Sequence, residues 1–166
     1  MDRREALRLS TLLLGGSIPA STLSGILSGC TADTKTPANL WSPSFINKEL
    51  INSLAELCET IIPAGKTPGA KDAKVERYID VMLKDVWKPE ESASFAQGLA
   101  KLEADSKAKY GASFAKITPA QRIEMVKALD DELRTRTEVP AQKPFYDMVK
   151  ELTVTGYCTS EEGATK

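Results

Sequence analysis

The side chains that carry most proton and nucleophile chemistry are scarce in this chain. It contains no histidine, which removes Ser-His and Cys-His nucleophile pairs, histidine-ligated metals and haem, and the commonest general base near pH 7. Its three cysteines, Cys30, Cys58 and Cys158, contain no C-x-x-C pair, so zinc-ribbon and covalent haem-attachment patterns are excluded. Three carboxylate pairs, Glu90-Glu91, Asp130-Asp131 and Glu161-Glu162, are adjacent in sequence. Neighbours on a helix point about 100° apart and do not converge on one substrate, so these read as helix-start or solvated-face charges. Neither glycine-rich nucleotide-binding spacing occurs, so nothing cradles a cofactor phosphate. Catalytic, cofactor-binding and metal-ligating residues are therefore not expected in this chain.

The N-terminal residues carry a different chemistry. Arg3 and Arg4 form an adjacent pair, followed by a mildly apolar stretch from Leu9 to Leu27 that ends in Leu27-Ser28-Gly29-Cys30. A basic start, an apolar middle and small residues at the end describe a signal peptide. The arginine pair and the low hydrophobicity point to twin-arginine (Tat) export, which carries folded cargo. The final tetrad has the form of a lipobox, whose small residues let an extended backbone enter a peptidase and whose cysteine becomes the acylated first residue. Two chains on Cys30 would anchor the protein stably, where one alone is marginal. Export by the general secretory route and a retained membrane anchor are the alternatives, although Gly15, Gly16 and Pro19 interrupt a span that needs about 20 apolar residues. The expected organisation is a signal peptide over 1–29, an acylated cysteine and flexible tether over 30–46, and one domain over 47–166.

Beyond the tether every element has helical period. With 166 residues, 42% apolar and 27% charged, the chain has the composition of a globular domain, and 22 basic against 23 acidic residues give no reason to expect nucleic acid. Asn47 can cap a helix bearing Leu50, Leu54, Leu57, Cys58 and Ile61 on one face, which stops at Ile62-Pro63. A second helix has Val75, Tyr78, Ile79, Met82, Leu83 and Val86 in register. A third starts at Pro89-Glu90-Glu91 and buries Phe95, Leu99 and Leu102. Thr118-Pro119-Ala120-Gln121 is a capping-box start for a helix with Ile123, Val126, Leu129 and Leu133 as its stripe. The last helix uses Phe145, Met148, Val149 and Leu152 and dissolves near Gly156. The prediction is an all-α domain of about five helices.

Two features of that domain remain. Cys58 and Cys158 would meet an oxidising compartment after export, where a bridge closing about 100 residues would contribute about 3–5 kcal/mol in the chain-entropy model. The other reading of Cys58 is a small buried apolar group on its helix face. The segments Glu59-Thr60-Ile61-Ile62-Pro63-Ala64-Gly65-Lys66-Thr67-Pro68-Gly69-Ala70 and Lys150 through Ala164 are rich in turn residues beside apolar ones, which suits either an interaction surface or two ordinary helix ends.

The patterns E-T-I-I-P-x-x-x-T-P-G-A and K-E-L-T-x-x-G-Y-x-T-S-E-x-G-A, in that order, resemble the gluconate 2-dehydrogenase subunit 3 family over about residues 47–166. The resemblance implies a non-catalytic small subunit of a periplasmic FAD-dependent sugar, glycoside or polyol dehydrogenase. Its partner would be a flavoprotein of the glucose-methanol-choline type that binds FAD, with a cytochrome c subunit carrying haem c as a further partner. The small subunit would lend its signal to the flavoprotein at the Tat translocon and assist its folding. It would then hold the complex at the membrane through lipidated Cys30. On this reading Ile61, Ile62, Pro63, Thr67, Pro68, Gly69, Thr155, Gly156 and Tyr157 contact the flavoprotein. Cys158 departs from the family, which often has an aromatic residue there, and the lipobox is not general to it. The rival readings are a stand-alone helical envelope lipoprotein that scaffolds or binds, and a thiol enzyme using Cys58 and Cys158.

Overall fold

The computed structural model of the chain describes residues 41–137 and 143–165. It divides into two units, Met1–Trp41 and Ser42–Lys166, and every described helix belongs to the second. The expected signal, Arg3, Arg4 and Cys30 lie outside the described residues. The described residues are all-α, in six helices: α1 Lys48–Ile61, α2 Val75–Asp85, α3 Pro89–Tyr110, α4 Pro119–Thr135, α5 Phe145–Cys158 and a single turn, α6 Glu161–Ala164.

Local chemistry sets the boundaries. The Asn47 side chain accepts from the Glu49 amide at the start of α1. Thr118 and Gln121 make the expected reciprocal capping box, with Pro119 in the first turn of α4. Pro89 opens α3, where a missing N–H has no cost. Ser160 caps α6, accepting from Gly163.

Helices α1 and α5 are the centre of the packing, each touching all four other long helices. Leu54, Leu57 and Cys58 of α1, Ile79 of α2, Phe95 and Leu99 of α3 and Met148 and Val149 of α5 are fully or almost fully hidden. Each large apolar side chain so buried stabilises the fold by about 1.5–3 kcal/mol. The Phe95 and Phe145 rings meet edge to face with centroids 5.2 Å apart, joining α3 to the first turn of α5.

Three expectations differ from the observed helices. Val86 is exposed at the C-cap of α2, whose helix ends at Asp85. On α4 the buried pair is Met125 and Val126, with Leu129 and Leu133 half-buried and Ile123 exposed, so the inward face is turned toward Met125. Helix α5, expected to dissolve near Gly156, runs two residues past it to Cys158.

Two carboxylates lie inside the domain. Asp80 accepts from the amides of Ser44, Phe45 and Ile46 at 2.7, 3.0 and 2.7 Å and from the Ser44 hydroxyl at 3.0 Å. Residues 44–46, read from sequence as the end of the tether, are thus fixed to α2. Glu103 accepts from the Ser53 hydroxyl at 2.8 Å and the Phe114 amide at 3.2 Å, tying α1 and the turn after α3 to α3 itself. Burial raises the pKa of both carboxyls, but the donors around each outweigh it and hold both below their ordinary values.

Candidate functional site

The two turn-rich segments fold against each other. Glu59 stands in the last turn of α1, where a negative charge faces the negative end of the helix dipole. Its carboxylate is occupied: Oε1 accepts from the Ala64 amide at 2.8 Å and Oε2 from the Lys71 amide at 2.9 Å. One side chain therefore closes the turn over residues 64–71 at both ends. Within it the Gly65 amide donates to Thr67 O, the Ala70 amide to Ile62 O, and the Gly69 amide to the Asp72 carboxylate. Gly69 is required by close approach, since a Cβ there would stand 2.5 Å from both Glu59 carboxylate oxygens and 2.6 Å from the Ala64 nitrogen. Lys71, at the far end of the turn, pairs with Glu56 at 2.6 Å, and Glu56 also pairs with Arg122 of α4 at 3.1 Å.

The second segment comes from α5. The Tyr157 hydroxyl donates to the Pro68 carbonyl at 2.8 Å, fixing the crown of the turn. One turn earlier the Thr153 hydroxyl donates to Cys58 Sγ at 3.3 Å in the buried seam between α1 and α5. Between them Gly156 lets α2 approach: a Cβ there would lie 2.6 Å from Cδ1 of the Tyr78 ring. The glycine taken from sequence as a helix stop thus serves helix packing instead.

The residues expected to contact a partner fall into two groups. Pro63, Thr67 and Thr155 are exposed, and Ile61, Ile62, Pro68 and Tyr157 are half-buried, leaving a largely apolar surface on the turn and the end of α5 with Lys66 as an exposed charge within it. Gly69 and Gly156 are buried and shape that surface from beneath. Sequence reasoning missed Val154, an exposed apolar residue one position before Thr155. It also gave Glu59 no role, although Glu59 is the first residue of the motif; the signal was its acidic charge at a helix C-terminus.

The Cys58–Cys158 bridge is corrected. Both thiols are free, Cys58 wholly buried and Cys158 exposed. Thr153, which meets Cys58, and Cys158 are five residues apart on α5, so their side chains diverge by about 140°. Burial, with Glu76 and Glu59 adding to it against the Thr153 hydrogen bond, pushes the Cys58 thiol up to about 12. A thiol so disposed is a poor nucleophile, which argues against the thiol-enzyme reading.

In the glycine-bearing turn the amides of Ala64, Gly65, Gly69 and Lys71 are spent on internal acceptors and are not free to bind an anion. Among the described residues no group of acidic and cysteine side chains is arranged to hold a metal, and no helix is long and apolar enough to cross a membrane. A cavity of about 410 Å³ lies between α3, α4 and the start of α5, lined by Leu102, Met125, Leu129 and Phe145 among others. It shares no lining residue with the two motifs.

Fold and site together define a small all-helical domain whose distinctive feature is a stapled surface turn locked to its C-terminal helix. The family model described as Gluconate 2-dehydrogenase subunit 3 matches residues 48–166, and the chain belongs to that family. It is accordingly related to the accessory subunits of a dehydrogenase complex. No curated protein and no solved structure matches the chain.

Proposed function

We propose that this chain is the non-catalytic small subunit of an exported FAD-dependent sugar, glycoside or polyol dehydrogenase. The observation that carries the reading is that the family match takes in both turn motifs and that these motifs, distant in sequence, fold together into one surface through the Tyr157–Pro68 bond. On this reading the surface receives a flavoprotein of the glucose-methanol-choline type. That partner binds FAD and oxidises the alcohol, and a cytochrome c subunit with haem c takes the electrons onward.

Folding around FAD takes place in the cytoplasm, so the complex needs a route that accepts folded cargo. Arg3 and Arg4 supply the signal for that route, and Cys30 carries the lipid that holds the complex on the periplasmic side of a membrane. The test is export in the native host. An Arg3→Lys, Arg4→Lys variant should leave both this chain and an intact, FAD-loaded flavoprotein in the cytoplasm. A flavoprotein that still reached the periplasm in full amount would refute the escort role.

A further inference from the structure

We propose that Glu59 is a positioning residue for partner binding: its carboxylate, bonded at once to the Ala64 and Lys71 amides, holds the turn over residues 64–71 in its docking shape before the partner arrives. The inference rests on the reading of this surface as the flavoprotein contact.

Three observations carry it. A carboxylate in the last turn of a helix opposes the dipole and is disfavoured unless something uses it; here both oxygens are used, at 2.8 and 2.9 Å, by backbone donors seven residues apart in the chain. Gly69 leaves room for that carboxylate and for nothing more, with an added Cβ 2.5 Å from each oxygen. The crown of the same turn is held from the other side by Tyr157 on Pro68. A turn of this size left free would have to be ordered on binding, at a cost in backbone entropy. Ordering it in the unbound subunit removes that cost from association. The side chains it presents, Pro63 and Thr67 with half-buried Ile61, Ile62 and Pro68 around one exposed cation, Lys66, suit a protein surface that is mainly apolar with an acidic or polar group opposite Lys66.

Glu59→Gln is nearly isosteric, but it turns an NH2 toward a backbone N–H and so breaks one of the two bonds. Gly69→Ala displaces the carboxylate from the opposite side. Ser92→Ala is the control, removing one buried hydrogen bond from α3 to Leu83 O, far from the turn. Each full-length protein is titrated with the FAD-loaded flavoprotein purified from the native host, and amide exchange is measured on each unbound chain.

Glu59→Gln should speed exchange at Ala64 and Lys71 about tenfold and weaken flavoprotein binding about tenfold, with no larger fall in melting temperature than Ser92→Ala. Ser92→Ala should bind as wild type. The Gly69→Ala, Glu59→Gln double variant should be little worse than either single one, since both break the same clasp. Unchanged exchange at the two amides, or faster exchange with binding within about twofold of wild type, would overturn the proposal while leaving the accessory-subunit reading intact. A wild-type chain that bound no flavoprotein would overturn both.

Discussion

The Tyr157 phenol donates to the Pro68 carbonyl at 2.8 Å, joining residues 89 positions apart in the chain. This bond links the two motifs directly and makes one surface of what the sequence presents as two helix ends. Tyr157→Phe keeps the ring and loses only the donor, and should cost about 1 kcal/mol in denaturant unfolding. Faster amide exchange should be confined to the turn over residues 64–71. Tyr157→Ala, which also removes packing, should weaken the complex as well, as aromatic anchors do.

Gly156 is a packing residue. Gly156→Ala should destabilise the domain by about 1–3 kcal/mol in urea unfolding, because the added methyl meets the Tyr78 ring at 2.6 Å. Tyr78→Leu in the same chain should recover part of the loss. A Gly156→Ala variant as stable as wild type, or more so, would mean that Tyr78 does not pack closely against this position.

The Asp80 clasp predicts an acid-sensitive stability. Its folded pKa is depressed, because the amides of Ile46, Ser44 and Phe45 and the Ser44 hydroxyl outweigh the burial that would raise it. Its contribution is therefore present above the unfolded value of about 3.9 and is lost as pH falls through the folded one. Asp80→Asn should cost about 2–3 kcal/mol at neutral pH, and the two proteins should converge in strong acid. Thermal melts across that range measure it.

Glu76 has the opposite sign. Burial raises its pKa, although its own backbone hydrogen bond and the charges of Arg77, Lys71 and Lys74 oppose the shift, and its Oε2 is buried without a hydrogen bond. The stability it allows is complete below the ordinary glutamate pKa and declines as pH rises through the raised folded value. Glu76→Gln should therefore stabilise the domain by about 1 kcal/mol at pH 7 and give no gain near pH 4. An equal effect at both pH values would contradict the assignment.

Much of the fold was legible in the residues because it depended on local chemistry. The caps at Asn47 and Thr118, the stop at Ile62-Pro63 and the α3 stripe of Phe95, Leu99 and Leu102 follow from side chains and their immediate neighbours. The illegible part depended on which helix met which. Gly156 reads as a terminator until Tyr78 is placed against it, and the inward residue of α4 is Met125 where the sequence stripe has Ile123. Asp80 and Glu59 look like solvated charges in sequence. Their roles come from backbone donors 34–36 positions away for Asp80, and 5 and 12 positions away for Glu59. The candidate surface was located by motif; its buried support was not.

The two cysteines give a direct chemical check. Iodoacetamide on the native protein should modify Cys158 within minutes and leave Cys58 untouched until denaturant is added, because one is exposed and the other is wholly buried with its thiol pushed up to about 12. Protection of both until a reductant is added would restore the bridge.

On the proposed reading this domain works only as part of a dehydrogenase. Affinity purification of the tagged full-length chain from native membranes in mild detergent tests it most directly. The expected result is a yellow preparation in which a larger FAD protein accompanies the chain in fixed proportion and oxidises a sugar, glycoside or polyol. A colourless chain recovered alone, with all such activity left in the flow-through, would contradict it.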